Sequence, residues 1–153
     1  MNQRPGFMAK LKKTARRAWW RVYGRAIRKF GLPPGAGTIL YVCKGNIVRS
    51  PFAEHLSNRL IADERAPSIP LNFSSAGLVT PDVQASPEEA VRTAAQFNVS
   101  LREHRPRLIN YSMVESHDLI VAMDVWQYGL LKRMFPEHAR KIVLLPLYDR
   151  ERD

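Results

Sequence analysis

Apolar residues recur along this chain at two different periods, and the change of period divides it. From Phe7 to Phe30 they come back every three or four residues (Leu11, Ala15, Trp19, Val22, Tyr23, Ala26, Ile27), with Lys and Arg filling most of the gaps. That spacing predicts an amphipathic helix over residues 7–30. Gly31-Leu32-Pro33-Pro34-Gly35-Ala36-Gly37 stops it and forms a linker. Beyond the linker, short apolar runs of β type appear at Thr38–Val42, Leu71–Ser74, Asp118–Met123 and Lys141–Leu145. Helical patterns separate them. One runs from Pro51 to about Ala62, with Phe52, Leu56 and Leu60 on one face; one from Pro87 to about Phe97, with Ser86 as cap and Glu88 and Glu89 in its first turn; and one to Met134, capped by Asp124. Strands alternating with helices predict an α/β fold, a three-layer sandwich around a four-stranded parallel sheet with right-handed crossovers. Residues 38–153 form the predicted domain, and 1–37 a basic extension.

Charge sharpens that division. The 153 residues carry a formal net charge of +10, yet residues 1–37 alone hold ten bases and no acid, and the other fourteen bases are balanced by fourteen acids. The extension therefore owns the whole excess. It is not a secretory signal, because no continuous apolar stretch follows its charges. Trp19, Trp20 and Tyr23 beside so many cations suit an anionic membrane surface. A helix docked on its own domain, an unselective basic tail and a transit peptide are the other readings, with RNA the weaker option. No apolar run is long enough to span a bilayer. The single cysteine rules out an intramolecular disulfide framework and suits a reducing cytoplasm, with peripheral attachment to the inner membrane surface as the further expectation.

That cysteine carries the candidate chemistry. Thr38–Val42 delivers Cys43 onto a short polar loop, Lys44-Gly45-Asn46-Ile47-Val48, after which Arg49, Ser50 and Pro51 open a helix. Loop amides and the positive end of the helix converge on one spot, which makes a phosphate cradle of residues 43–50. A thiol at its floor changes what the cradle can do, because the thiolate is a nucleophile. Donors that stabilise a thiolate also stabilise a phosphoryl dianion and its transition state. Arg49 can curl back as a planar fork onto two phosphoryl oxygens, where Lys would offer a point charge. Gly45 and Asn46 tolerate positive φ and so allow the amides to turn inward. Ser50 can donate to the sulfur. The spacing Cys-x5-Arg alone does not separate this reading from a buried structural cysteine; the full Cys-x-Gly-Asn-x-x-Arg-Ser-Pro pattern after a strand does.

The run Val42-Cys43-Lys44-Gly45-Asn46-Ile47-Val48-Arg49-Ser50-Pro51-Phe52-Ala53-Glu54 resembles the low-molecular-weight protein tyrosine phosphatases. Ser75-Ala76-Gly77, His104-Arg105-Pro106-Arg107 and Asp118-Leu119-Ile120-Val121-Ala122-Met123-Asp124 extend the likeness in register, so that it covers about residues 38 to 149. The resemblance implies a cysteinyl-phosphate mechanism with no metal or other cofactor: Cys43 as nucleophile, Arg49 as phosphoryl clamp, Ser50 as thiolate partner and Asn46 as loop stabiliser. A phosphotyrosyl protein is the implied substrate, and in bacteria a tyrosine kinase of polysaccharide export. Ile47 stands where the related arginine phosphatases place threonine, which favours phosphotyrosine. Val48 stands where many members carry a second cysteine, so an oxidised Cys43 would lack a resolving partner in the loop. The single cysteine also excludes thioredoxin-coupled arsenate reductases.

In the family a general-acid aspartate, followed by proline and aromatic residues, lies beyond the Tyr148-Asp149 position, and a last helix covers one sheet face. Asp149 matches the upstream aspartate, and the sequence runs to Asp153. The expected set thus includes no general acid and no C-terminal helix, and the domain is expected to be C-terminally incomplete. A catalytically inactive phosphotyrosine-binding module, tethered by its basic helix, is the alternative reading. The four histidines (His55, His104, His117, His138) show no metal-ligand spacing and are given no catalytic role. Arg105 and Arg107 read as solvated surface arginines that could also draw in an anion. Trp126, Tyr128, Leu130, Leu131 and Met134 read as core and flank.

Overall fold

The structure is a computed structural model, and it describes residues 35, 37–62, 71–79 and 83–145. The expected helix at 7–30, most of the linker and Asp149 lie outside the described residues. The elements are β1 (Thr38–Cys43), α1 (Arg49–Ala62), β2 (Asn72–Gly77), α2 (Glu88–Ala95), α3 (Tyr111–Ser116), β3 (Leu119–Ala122), α4 (Val125–Met134), a 3-10 turn (Pro136–Lys141) and β4 (Ile142–Leu144).

The four strands form one parallel sheet in the order β2-β1-β3-β4. Period-2 alternation splits their side chains into two layers. Ile39, Leu119, Val121 and Val143 make one buried cluster, with Tyr41, Leu71 and Phe73 packed against it. Leu40, Val42, Ile120, Ala122 and Leu144 point the other way and are fully buried. The Tyr41 hydroxyl meets the Ser57 hydroxyl of α1 at 3.0 Å, so α1 covers the Ile39 face. From β1 the chain steps to one side through α1 to β2, and from β3 it steps to the other side through α4 to β4. With right-handed crossovers, α1 and α4 must then lie on opposite faces, which gives the three layers. The direction reverses between β1 and β3, the place where open α/β sheets take ligands.

One carboxylate sets the start of β1. Asp118, just before β3, accepts from the Gly37 amide (3.0 Å), the Thr38 amide (2.9 Å) and the Thr38 hydroxyl (2.7 Å). The Thr38 hydroxyl and these amides hold its carboxyl below the ordinary aspartate value. Two strands distant in sequence are thereby locked in register: Ile39 opposite Leu119 and Val42 opposite Ala122.

Several boundaries differ from the sequence expectation. α1 begins at Arg49, two residues before Pro51. β2 continues past the expected end at Ser74 through Ser75-Ala76-Gly77. Pro87, not Ser86, is the N-cap of α2, with no side-chain cap, and the Ser86 hydroxyl is buried without a partner. Pro87 already holds the extended cap conformation (φ −58, ψ 145), so the helix starts one residue later than Ser86 could serve. α2 closes at Ala95, short of Phe97, because Asn98 turns left-handed (φ 54). α3 was not foreseen; at six residues it is too short to show a period, though Asn110 caps it through the Met113 amide at 2.9 Å. The Asp124 cap is present, accepting from the Gln127 amide at 2.9 Å. Trp126 and Met134 are exposed, while Gln127 is fully buried in α4.

Candidate active site

The loop between β1 and α1 is built around a sulfur. Cys43 closes β1 and is 3% exposed. Its Sγ receives two hydrogen bonds, from the Ser50 hydroxyl at 3.0 Å and from the Asn46 amide at 3.3 Å. The amide can aim there because Asn46 adopts the left-handed conformation (φ 54). Gly45, the other residue expected to turn that way, does not; among the described glycines only Gly35 has positive φ (81). Asparagine tolerates this conformation better than other residues with a Cβ. Here its side chain is used as well.

Behind the loop, Asn46 is the hub of a buried polar network. Its side-chain amide donates to the Ser50 hydroxyl (3.0 Å) and the Ser75 hydroxyl (2.7 Å), and its side-chain oxygen accepts the Arg107 amide (2.9 Å). Its main-chain oxygen accepts from His104 Nε2 at 2.8 Å. Burial holds the His104 imidazole below the ordinary histidine value, against the Asn46 carbonyl and Glu54, which favour the charged form. The Ser75 hydroxyl donates to Glu54 Oε2, while Glu54 Oε1 faces Arg107 Nη2 at 3.5 Å. Arg107 also donates from Nε to the Ser75 carbonyl at 3.2 Å. Arg107 is exposed, as expected from sequence, yet it also braces the back of the loop.

β2 reaches the same loop by backbone alone. A Cβ on Gly77 would lie 2.8 Å from the Gly45 carbonyl carbon and 2.9 Å from the Asn46 nitrogen. Only hydrogen fits there. The Leu78 and Val79 amides continue the contact by donating to the Cys43 and Lys44 carbonyls at 3.0 and 2.9 Å.

The front of the loop is different. Lys44, Val48 and Arg49 are exposed, and Ile47 is half-buried. Arg49 Nη1 is 2.9 Å from Asp124 Oδ2, across the gap between β1 and β3, with both side chains substantially exposed. Gln127 Nε2 donates to the same Asp124 oxygen at 2.7 Å. Asp124 therefore caps α4 and orients Arg49 together; sequence reading found only the cap. Beside Val48, a groove of about 560 Å³ runs between α1 and α2, with Phe52, Leu56, Ala90 and Phe97 among its walls.

Each residue expected at the site lies in one segment, 43–50, and the structure gathers them around Sγ or its rim. What sequence missed comes from elsewhere: Glu54 from α1, His104 and Arg107 from the segment after α2, Gln127 from α4 and the Asp124 contact to Arg49; Ser75 of β2 lies against the loop, where the resemblance implies that the Ser75-Ala76-Gly77 turn supports it. His55 and His104, 49 positions apart in the chain and without ligand-like spacing, bring their rings to 6.0 Å.

A buried thiol on a strand-to-helix loop at the reversal point of a parallel sheet defines a class of phosphate-handling α/β proteins, and comparison with known proteins agrees. The family described as low molecular weight phosphotyrosine protein phosphatase matches residues 38–153. The low molecular weight protein-tyrosine-phosphatase Wzb of Escherichia coli (strain K12) is 34% identical over 113 residues, 74% of this chain and 72% of Wzb. The tyrosine phosphatase AmsI of Erwinia amylovora superposes with a TM-score of 0.65 at 28% identity, over 77% of this chain and 74% of its own. An arginine phosphatase, YwlE, as a Cys-to-Ser mutant with a phosphorylated active-site serine, gives a TM-score of 0.66 at 25% identity, over 74% and 72%. The chain belongs to the low molecular weight phosphotyrosine protein phosphatase family. It is a hydrolase by that membership.

Proposed function

We propose that this protein hydrolyses protein phosphotyrosine through a cysteinyl-phosphate intermediate. The observation that carries the reading is the pair of donors, Ser50 hydroxyl and Asn46 amide, aimed at the buried Cys43 sulfur at the mouth of a helix. In this reading the Cys43 thiolate attacks phosphorus, the P–O bond to the tyrosyl oxygen breaks, and that oxygen leaves with a proton. Water then attacks phosphorus, the S–P bond breaks, inorganic phosphate departs and the thiolate is restored. Loop amides of residues 44–50 and Arg49 take up the charge that grows on the equatorial oxygens. A guanidinium has five N–H donors and Asp124 engages Nη1 only, so the remainder of the fork is available to a phosphoryl group.

Asp124 holds Arg49 in place and does not supply the leaving-group proton. Its oxygens accept three hydrogen bonds, from Arg49, the Gln127 amide and the Gln127 side chain, and protonation would break that arrangement. The proton donor is not assigned among the described residues.

For substrate, Wzb and AmsI are named for tyrosine and YwlE for arginine. Ile47 in place of threonine supports the tyrosine side. The apolar groove beside Val48 suits an apolar side chain flanking the phosphorylated residue. Turnover of a phosphotyrosyl peptide, compared with a phosphoarginyl one, tests this; preference for phosphoarginine would overturn the substrate assignment. Saturable binding of phosphotyrosine without turnover would replace the enzyme by the binding-module reading.

For the extension we propose that residues 7–30 attach the phosphatase domain, which begins at 38, to an anionic membrane surface in the cytoplasm. The basis is the sequence alone: ten bases without an acid, interleaved with Trp19, Trp20 and Tyr23. No helix among the described residues is long and apolar enough to cross a membrane. Sedimentation with phosphatidylserine vesicles tests it, and equal sedimentation of a chain lacking residues 1–37 would sink it.

A further inference from the structure

A second cluster of chemistry-bearing side chains lies behind the loop and has no part in the reaction above. One ligand atom each from Glu54, His55 and His104 stand within 4.8 Å of one another. Two come from adjacent positions of α1 and the third from the segment after α2. From this geometry we infer that Glu54, His55 and His104 form a binding site for one divalent cation of the Zn²⁺ class.

The tautomer of His104 fits a ligand. Its Nε2 lies 2.8 Å from the Asn46 carbonyl oxygen, which can only accept. Nε2 therefore bears the proton, and Nδ1 is left with its lone pair. Metal-binding histidines commonly donate their other ring N–H to a carbonyl or carboxylate in this way. Glu54 has the matching support, since the Ser75 hydroxyl donates to its Oε2. His55 makes no hydrogen bond among the described residues, and its ring stands at 90° to that of His104. Its side chain is half-buried, so it can rotate toward the other two.

Two nitrogens and one carboxylate oxygen suit Zn²⁺, and also Co²⁺ or Ni²⁺; they do not suit the all-oxygen preference of Ca²⁺ or Mg²⁺. Ligand atoms around tetrahedral zinc stand roughly 3.3 Å apart, given bonds of about 2.0–2.1 Å. Drawing the present spacing in to that value would place all three on one ion, with a water as the fourth ligand. The opposing charge is Arg107, whose Nη2 is 3.5 Å from Glu54 Oε1. Cation binding displaces that contact, while the Arg107 bonds to Asn46 and Ser75 remain. A bound cation would then clamp α1 to the segment that supports the Asn46 carbonyl. The back wall of the phosphate loop would be braced from outside.

The test uses the full chain carrying Cys43→Ser, so that the thiolate cannot serve as the metal ligand. Calorimetric titration with ZnCl₂ is expected to show one equivalent bound, and Co²⁺ the intense visible bands of a four-coordinate site. Adding His55→Ala should weaken Zn²⁺ binding by at least the roughly 10–100-fold that loss of an outer-shell partner costs. His138→Ala should leave it unchanged. In ¹⁵N spectra of the imidazoles, zinc should move Nδ1 of His104 and leave its Nε2–H in place. Equal affinity with and without His55, or no saturable binding, would overturn the site.

Discussion

The two walls of the phosphate loop are built on opposite principles. The back wall is buried and polar: Asn46, Ser50 and Ser75 are each fully buried, and every one is satisfied by hydrogen bonds. The front wall is exposed, with one half-exposed ion pair and apolar side chains on its rim. A satisfied buried network fixes geometry, because any displacement leaves a polar group unpaired at about 1–3 kcal/mol each. An exposed ion pair fixes little, being worth about 0–1 kcal/mol. The difference teaches that the sulfur is held from behind by buried bonds, while Arg49 in front is oriented by one exposed pair. Preorganisation and access are assigned to different faces of the same eight residues.

The largest test asks whether the sulfur is the reacting atom. Cys43→Ser is expected to lower hydrolysis of p-nitrophenyl phosphate on the order of 10⁶-fold, the scale on which removing a nucleophile acts, with the circular dichroism spectrum unchanged. Persistent turnover would dissolve the comparison, since neither wall would then serve chemistry. Next comes the front wall. Arg49→Lys keeps the charge but loses the planar fork, and kcat/KM should fall roughly 10²–10³-fold with little change in stability.

Back-wall substitutions should act on stability first. Asn46→Ala removes the donor to two buried hydroxyls and the acceptor for the Arg107 amide. It should cost about 3 kcal/mol in urea unfolding. Gly77→Ala drives a methyl group into the Gly45–Asn46 backbone and should cost about 2 kcal/mol. If either variant is as stable as the parent, the back wall is not the fixed one. Asp124→Asn sharpens the contrast from the front, since asparagine caps a helix as well as aspartate does. The ion pair and the acceptor for Gln127 Nε2 are lost, so stability should fall by about 1 kcal/mol while KM rises and its salt dependence weakens.

The smallest effect lies at the far end of β1. The Asp118 carboxyl is held below its ordinary value of 3.8 by the Thr38 hydroxyl and the Gly37 and Thr38 amides. An unfolded chain binds that proton at a higher pH than the folded one. The contribution is therefore complete above the unfolded value and is lost as pH falls through the lower, folded value. Asp118→Asn should be less stable than the parent at neutral pH and approach it in acid, as read from urea midpoints. A constant gap across pH would remove the carboxylate from the account.

How far the sequence carried the reading follows the same division. Much of what is contiguous was legible: the strand, the loop after it and the helix that follows, because a local pattern encodes local geometry. Asp124 as a cap was legible for the same reason. What arrives from another element was not. The contacts of Glu54, His104 and Arg107 were not foreseen, since nothing in a linear string says that they meet behind Asn46. Gly45 and Asn46 were both expected to tolerate a left-handed turn, and of the two only Asn46 takes it. Glycine is the usual choice there, but only asparagine can make the turn and also tie three partners. The six-residue α3 escaped because a single turn and a half shows no period, leaving Asn110 as its only mark.

One hydrogen atom sets how closely β2 approaches the loop that follows Cys43. Where β2 leaves the sheet, the Gly77 α-carbon presses on the loop's own main chain. Two stretches far apart in the chain thus share a single mould, and neither can be reshaped alone. Alterations to the exit of the second strand should be felt at the thiol even though no side chain links them, so engineering of this scaffold belongs at the solvent-facing rim.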